Sequence, residues 1–293
     1  MRTLHVANFD FDDRLARPSL KTLPANLRAV NARLAPLLNG LCGPGDVVGL
    51  VGDDVSDAAA FDRVEPWGVE PDVVAWLRAI GVRPAVLDAL PDPAAVRAVN
   101  SRRWQFAAER DLNLSAGGVT LRESADAARD AVAALAGHPR GWVVKAEHGG
   151  SGRGLRLGSG PLPPAVDRWV EGVAGRGMCL TVEPRDDRAW EYSAHLTVTD
   201  AGVTFDGVCF LHSTPTGRFR SVEPLRRSSD ALAAAEPVWR GVAERARADG
   251  YRGFLGIDAA AAWGAVERPV RDVNARWTMG RLALATGRTV KNP

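Results

Sequence analysis

The sequence predicts an α/β fold followed by an α+β one: an N-terminal doubly wound parallel sheet, then a region with antiparallel pairing. Three observations carry this. Two short apolar, β-branched runs, 3–8 (TLHVAN) and 47–51 (VVGLV), bracket a stretch with helical spacing. Strand signals then cluster beyond residue 140, at 142–146, 179–183, 191–199, 203–210, 253–261 and 266–273. Finally, Asp200-Ala201-Gly202 separates 191–199 from 203–210, the mark of an antiparallel hairpin.

Between the first two runs, Leu27, Val30, Leu34, Leu37, Leu38 and Leu41 recur at helical spacing, with Pro36 predicting a kink or break. Gly52-Asp53-Asp54 follows the second run as a loop. A second unit has Pro71 at a helix start, apolar Val73, Val74, Leu77 and Ile80, and Gly81 at the C-cap. The run Val82–Leu87 then completes a β-α-β-α-β rhythm over residues 1–98. Pro91 to Pro93 marks a boundary, residues 94–110 read as helical, and 124–136 form a helix with Ser124 as N-cap. A long helix over 230–249 stops at Gly250. The expected units are 1–98, 99–182 and 183–293.

Composition narrows the function classes. The chain has 293 residues, 46% apolar and 25% charged, with net charge +2 from interspersed signs. That is long enough to bury a core unaided and argues against disorder. No basic run supports nucleic-acid binding, and no window approaches the roughly 18 apolar residues of a membrane span. The N-terminus lacks the apolar core of a signal peptide, and the scattered Cys42, Cys179 and Cys209 suggest neither disulfide framework nor zinc site. A cytoplasmic protein is expected, with small-molecule partners; a homodimer is the ordinary oligomeric expectation. Lysine is scarce: of 37 basic residues, only Lys21, Lys145 and Lys291 are lysines.

Lys145 stands in GWVVKAEHGGSGRGLRLG, residues 141–158, where a strand delivers it beside a loop of Gly149, Gly150, Ser151, Gly152 and Gly154. Glycines let successive backbone N–H groups approach phosphate oxygens, and a neighbouring lysine adds a point charge. The segment is neither a Walker A loop nor GxGxxG, and a plain hairpin tip would use the same residues. In 250–280, Asp258 lies on one strand, while Asp272, Asn274 and Arg276 alternate along another. Alternation puts Asp272 and Asn274 on one face, and three hard oxygen donors suit Mg²⁺. In 179–198, Glu183 closes a strand and Glu191 opens the next, so two carboxylates flank a connector suited to a base amine and ribose hydroxyls. Each acidic residue alone equally suits a solvent-facing strand.

Taken together, VVKAEHGGSGRG, VEPRDDRAWEYS and GIDA followed by DVNAR resemble the ATP-grasp family over about residues 99–285. The resemblance implies two α+β subdomains clasping ATP behind an N-terminal doubly wound domain. It implies a ligase that activates a carboxylate as an acyl phosphate for attack by an amine, releasing ADP and phosphate. Residue by residue, Lys145 matches the lysine on the α/β-phosphates and adenine edge, and Gly149 to Gly154 match the loop over the phosphates. Glu183, with the backbone at Pro184 and Arg185, matches the adenine hinge; Glu191 matches the ribose carboxylate. Asp258, Asp272 and Asn274 match the Mg²⁺ ligands, and Arg276 matches an arginine near the transferred phosphate.

Two departures stand out. The family usually has glutamate where Asp272 stands, and its second phosphate lysine has no counterpart, Arg102 or Arg103 being the nearest substitutes. These favour an alternative, a regulatory nucleotide-binding protein without ligase chemistry. A dinucleotide-dependent oxidoreductase is disfavoured, since Asn8-Phe9-Asp10 rather than GxGxxG follows the first strand. For an anionic substrate the segment 212–227 offers Arg218 and Arg220, alternating on one strand face.

Overall fold

In the computed structural model, residues 1–17, 24–114, 118–150, 152, 154–185, 190–214, 219–226, 229–262 and 265–292 are described. They build three sheets in succession along the chain. The first is parallel: β1 (Thr3–Val6) lies between β2 (Val47–Gly49) and β3 (Arg63–Pro66). Leu4 and Val6 pack on one face with Val64, Val73 and Leu77. On the other side Ala7 and Phe9 join Leu34 and Leu38, so both faces are covered, as a doubly wound sheet requires.

The helices of this part show where local signals suffice. Helix α1 (Phe11–Ala16) follows β1 directly, and α2 (Ala25–Leu34) gives way to a 3₁₀ stretch, Ala35–Leu41, at Pro36. Helix α3 (Pro71–Ala79) starts at its proline, with the Glu70 carboxylate accepting from the N–H groups of Asp72 and Val73 at 2.8 and 3.1 Å. The expected strand at 82–87 is instead helix α4 (Pro84–Leu87). Pro84 sits at its start, and Val82, Val86 and Leu87 bury into one cluster at a helical spacing, not an alternating one. The third parallel strand is β3, short and half polar, which periodicity does not flag. Residues 94–110 form two helices, α5 (Pro93–Val99) and α6 (Arg102–Asp111), capped by Asp92 and Ser101.

The second sheet is antiparallel, in the order β4-β7-β5-β6, from β4 (Thr120–Arg122), β5 (Trp142–Ala146), β6 (Leu155–Gly158) and β7 (Leu180–Pro184). Helices α7 (Ala125–Ala134) and α8 (Pro164–Ala174) cover the face carrying Trp142, Val144, Leu180 and Val182. Ser124 caps α7 as expected, accepting from the Ala127 N–H at 3.2 Å. Alternation turns Lys145, Thr181 and Glu183 to the opposite face.

The third sheet has six strands in the order β12-β11-β8-β9-β10-β13. They are β8 (Trp190–Thr199), β9 (Gly202–Ser213), β10 (Phe219–Pro224), β11 (Gly253–Ala262), β12 (Ala265–Asn274) and β13 (Val290–Lys291). Helix α9 (Asp230–Ala248) packs Trp239, Val242 and Ala246 in the core with Leu196, Leu255 and Ile257. Across the opposite face, Asp272 pairs in register with Asp258, and Asp258 with Ser193. Helix α10 (Met279–Thr286) follows β12. Among the described residues no helix is long and apolar enough to cross a membrane.

Candidate functional site

The site lies between the free face of the second sheet and the acidic face of the third. At one end Lys145 is 7% exposed and its Nζ lies 2.5 Å from Glu183 Oε1, while Arg268 Nη2 donates to Glu183 Oε2 at 2.8 Å. The register places Lys145 opposite Thr181 and Val143 opposite Glu183, a diagonal that brings long side chains together. Burial pushes the Lys145 ammonium down to about 8, aided by Arg102, Arg268 and Arg271, against the pull of Glu183. Burial would raise the Glu183 carboxyl, but Lys145 and Arg268 outweigh it and hold it at about 2. Pro184 and Arg185 follow. Pro184 has no N–H, and the Arg185 N–H already donates to Gly141 O at 2.9 Å, so no free hinge donor is presented at these two positions.

The other end is crowded with carboxylates. Asp258 and Asp272 face each other across β11 and β12, and Asn274 Nδ2 lies 3.4 Å from Asp258 Oδ2. Burial pushes the Asp258 carboxyl up to about 7, with Asp272 and Glu191 adding to it and a hydrogen bond from Ser193 and the charge of Arg276 opposing. Asp272 is paired with Arg102 Nη2 at 3.0 Å, and Glu191 with Arg271. Two carboxylates and an amide oxygen with one acid forced toward its neutral form are a donor set that a small hard cation would relieve. Oxygen donors of this kind suit Mg²⁺, while among the described residues no three His, Cys, Asp or Glu side chains gather into one metal-holding group.

Arg276 joins this end to the N-terminal part. Its guanidinium grips Asp12 of α1 in a fork, Nε to Oδ1 at 3.0 Å and Nη2 to Oδ2 at 2.9 Å, and Nη2 also donates to Asn274 Oδ1 at 2.9 Å. The glycine segment closes on the same carboxylate. A Cβ on Gly150 would lie 1.8 Å from Asp12 Oδ2, and one on Gly149 would lie 2.7 Å from the Gly154 Cα, so only glycine permits these approaches. Ser151 and Arg218 lie outside the described residues.

One cavity of about 260 Å³ gathers most of these groups. Lys145, Gly150, Gly152, Glu191, Asp258, Asp272, Asn274 and Arg276 line it, and so do Asp12, Arg102 and Arg271. Glu183 lies behind Lys145, lining a small void with Glu109 and Arg268. Gly149 and Gly154 line a neighbouring hollow with Asp12 and His148. Arg220 is exposed on β10 and does not line the cavity, although its neighbour Phe219 does. A larger cavity, about 500 Å³, lies beyond Trp67 and Arg276 and holds no other expected site residue. Asp12, Arg268 and Arg271 were not singled out from the sequence. The acidic run FDFDD after β1 is a signal for Asp12, whereas the two arginines are lost among many.

No family model and no curated protein matches the sequence. Solved structures do match. D-cycloserine synthetase aligns over 97% of both chains at 14% identity, with a TM-score of 0.59. Biotin carboxylase from Campylobacter jejuni, as a β,γ-ATP complex, aligns over 96% of this chain and 67% of its own, at 14% identity and TM-score 0.59. The chain has the ATP-grasp fold. D-alanyl-alanine synthetase A from Vibrio cholerae also shares the ATP-grasp fold with this chain, over 94% of it and 88% of its own chain, at 12% identity and TM-score 0.55. In an ATP-grasp frame, the glycine segment and the carboxylate strands sit on two facing sheets, and the cavity lies between them.

Proposed function

We propose that this chain is a cytoplasmic, ATP-dependent, ADP-forming carboxylate–amine ligase, with units near 1–98, 99–182 and 183–293. The observation that supports it most is the single cavity in which Lys145, the glycine segment, the acidic strands and Arg276 converge. The structural neighbours named above as synthetases and a carboxylase agree with it.

The chemical problem is the poor leaving group of a carboxylate. An oxygen of the substrate carboxylate attacks the γ-phosphorus of ATP, the bond to the ADP oxygen breaks, and an acyl phosphate forms. The amine nitrogen then attacks the acyl carbon, phosphate leaves, and the amine gives up a proton. For phosphoryl transfer a protein mainly positions groups and neutralises charge. Lys145 would hold α/β-phosphate oxygens from its strand, and Arg276 the transferred group once its fork to Asp12 rearranges. Gly149, Gly150, Gly152 and Gly154 would close over the phosphates and exclude water, with Ser151 assigned to the same role by the sequence resemblance alone. Glu183, Pro184 and Arg185 would border adenine, Glu191 would take the ribose, and Arg220 would meet an anionic substrate arriving from outside the cavity. Asp258, Asp272 and Asn274 would hold Mg²⁺, which neutralises phosphate charge when bound.

Calorimetric titration of Mg-ATP into the wild type and Lys145→Ala tests this. Metal-dependent binding that the variant loses, followed by acid- and amine-dependent ADP release, is the expected result; absence of binding by the folded wild type overturns it. A second reading, a nucleotide-binding protein without ligase activity, is favoured by the pairing of Asp272 with Arg102 and of Glu191 with Arg271. It predicts Mg-ATP binding with no ADP release for any acid and amine.

A further inference from the structure

The cavity has apolar as well as charged lining. Phe9, Leu34, Trp67, Leu211, Phe219 and Met279 make its apolar wall, with Leu211 in register beside Glu191. The rings of Phe9 and Trp67 lie 4.4 Å apart at 41°, and both are buried along with Leu34. Leu211, Phe219 and Met279 are only partly buried, so the wall keeps apolar surface open to the cavity. Such side chains favour an occupant that takes apolar surface out of water.

Charge on the lining says what that occupant lacks. Four basic and four acidic side chains line the cavity, and each base is already committed: Arg102 to Asp272, Lys145 to Glu183, Arg271 to Glu191 and Arg276 to Asp12. Phosphates and metal would draw on the same groups. No cation lies spare among the described lining residues for a second anionic group, and one placed against the wall would lose its water without a partner. Size sets the remaining bound, since about 260 Å³ is below the roughly 300 Å³ at which pockets for drug-sized ligands begin.

We infer that the acid this chain accepts is a small monocarboxylic acid with an aliphatic or phenyl body, seated on this wall, with Phe219 and Leu211 setting which bodies fit. Phosphorylated acids and polycarboxylates would meet no unpaired cation among the described lining residues. The inference rests on the ligase reading for the fate of the carboxylate, but its test is direct binding. With Mg²⁺ and a non-hydrolysable ATP analogue present, 3-phenylpropionate, isovalerate, citrate and 3-phosphoglycerate are titrated into wild type, Phe219→Asp and Phe219→Leu.

The expected result is binding of the first two acids only. Phe219→Asp weakens it by roughly tenfold or more and Phe219→Leu largely keeps it. Acid affinities are compared with each protein saturated by the nucleotide analogue, so that any change in nucleotide binding is read separately. Tighter binding of citrate or 3-phosphoglycerate, no binding of either apolar acid, or indifference to Phe219→Asp overturns the inference. Should Phe219→Asp fail to fold, Leu211→Asn takes its place under the same criteria. Apolar-acid binding without ADP release, with any amine, supports the wall and counts against the ligase reading alone.

Discussion

The two ends of the site handle buried charge in opposite ways. At Lys145 one carboxylate, Glu183, is held by two cations and driven down to about 2. At Asp258 a carboxyl is buried beside two others and driven up to about 7. The first end is electrostatically finished and acts as a fixed post between the second and third sheets. The second is unfinished and has a use for incoming positive charge. Under the proposed function, a site that takes a polyanion with a metal would gain from having both.

The comparison can be broken most forcefully at Glu183. Glu183→Gln leaves Lys145 and Arg268 buried with reduced compensation, and we expect a stability loss of about 3–5 kcal/mol in urea unfolding. A loss below about 1 kcal/mol shows that the post is not structural. Asp258→Asn sharpens the other half. The folded carboxyl titrates near 7, above an unfolded value of about 3.9, so folding without metal is favoured below pH 4 and that contribution is lost as pH rises through 7. In chelator, Asp258→Asn is therefore expected to be more stable than wild type at pH 8, by about 2–4 kcal/mol, with the gap closing toward pH 4. Thermal unfolding across that range reads it, and a gap independent of pH overturns the assignment. The smallest effect is expected far from the site. Arg129 meets Asp126, Asp167 and Glu171 at 2.6, 2.7 and 2.5 Å on the surface, and Arg129→Ala should leave the urea midpoint unchanged within error.

Most strands and caps were legible because their signals are local: Ser124, Pro71 and the Asp200 to Gly202 turn act on their own neighbours. Val82–Leu87 misled because a short apolar run suits either helix or strand, and Arg83-Pro84 decided the matter. The alternation that put Asp272 and Asn274 on one face was also readable, and both line the cavity. The pairings were not. Arg102 with Asp272 and Arg271 with Glu191 depend on how separate strands and helices dock, which periodicity along the chain does not encode. Nor does sequence reveal that Gly150 rests on Asp12, because that contact is made by two distant segments.

The fork between Asp12 and Arg276 spans 264 residues of sequence. Closing so long a span costs chain entropy before the contact returns anything, and contacts of this kind form late in folding. As the chain leaves the ribosome, β1 and α1 emerge well before the arginine that completes their acidic corner, which follows 264 residues after Asp12. The candidate site is thus incomplete until β12 and the residues after it are made, and a nascent chain stopped before Arg276 would carry its glycine segment and Lys145 yet leave Asp12 without the arginine that ties α1 to the third sheet.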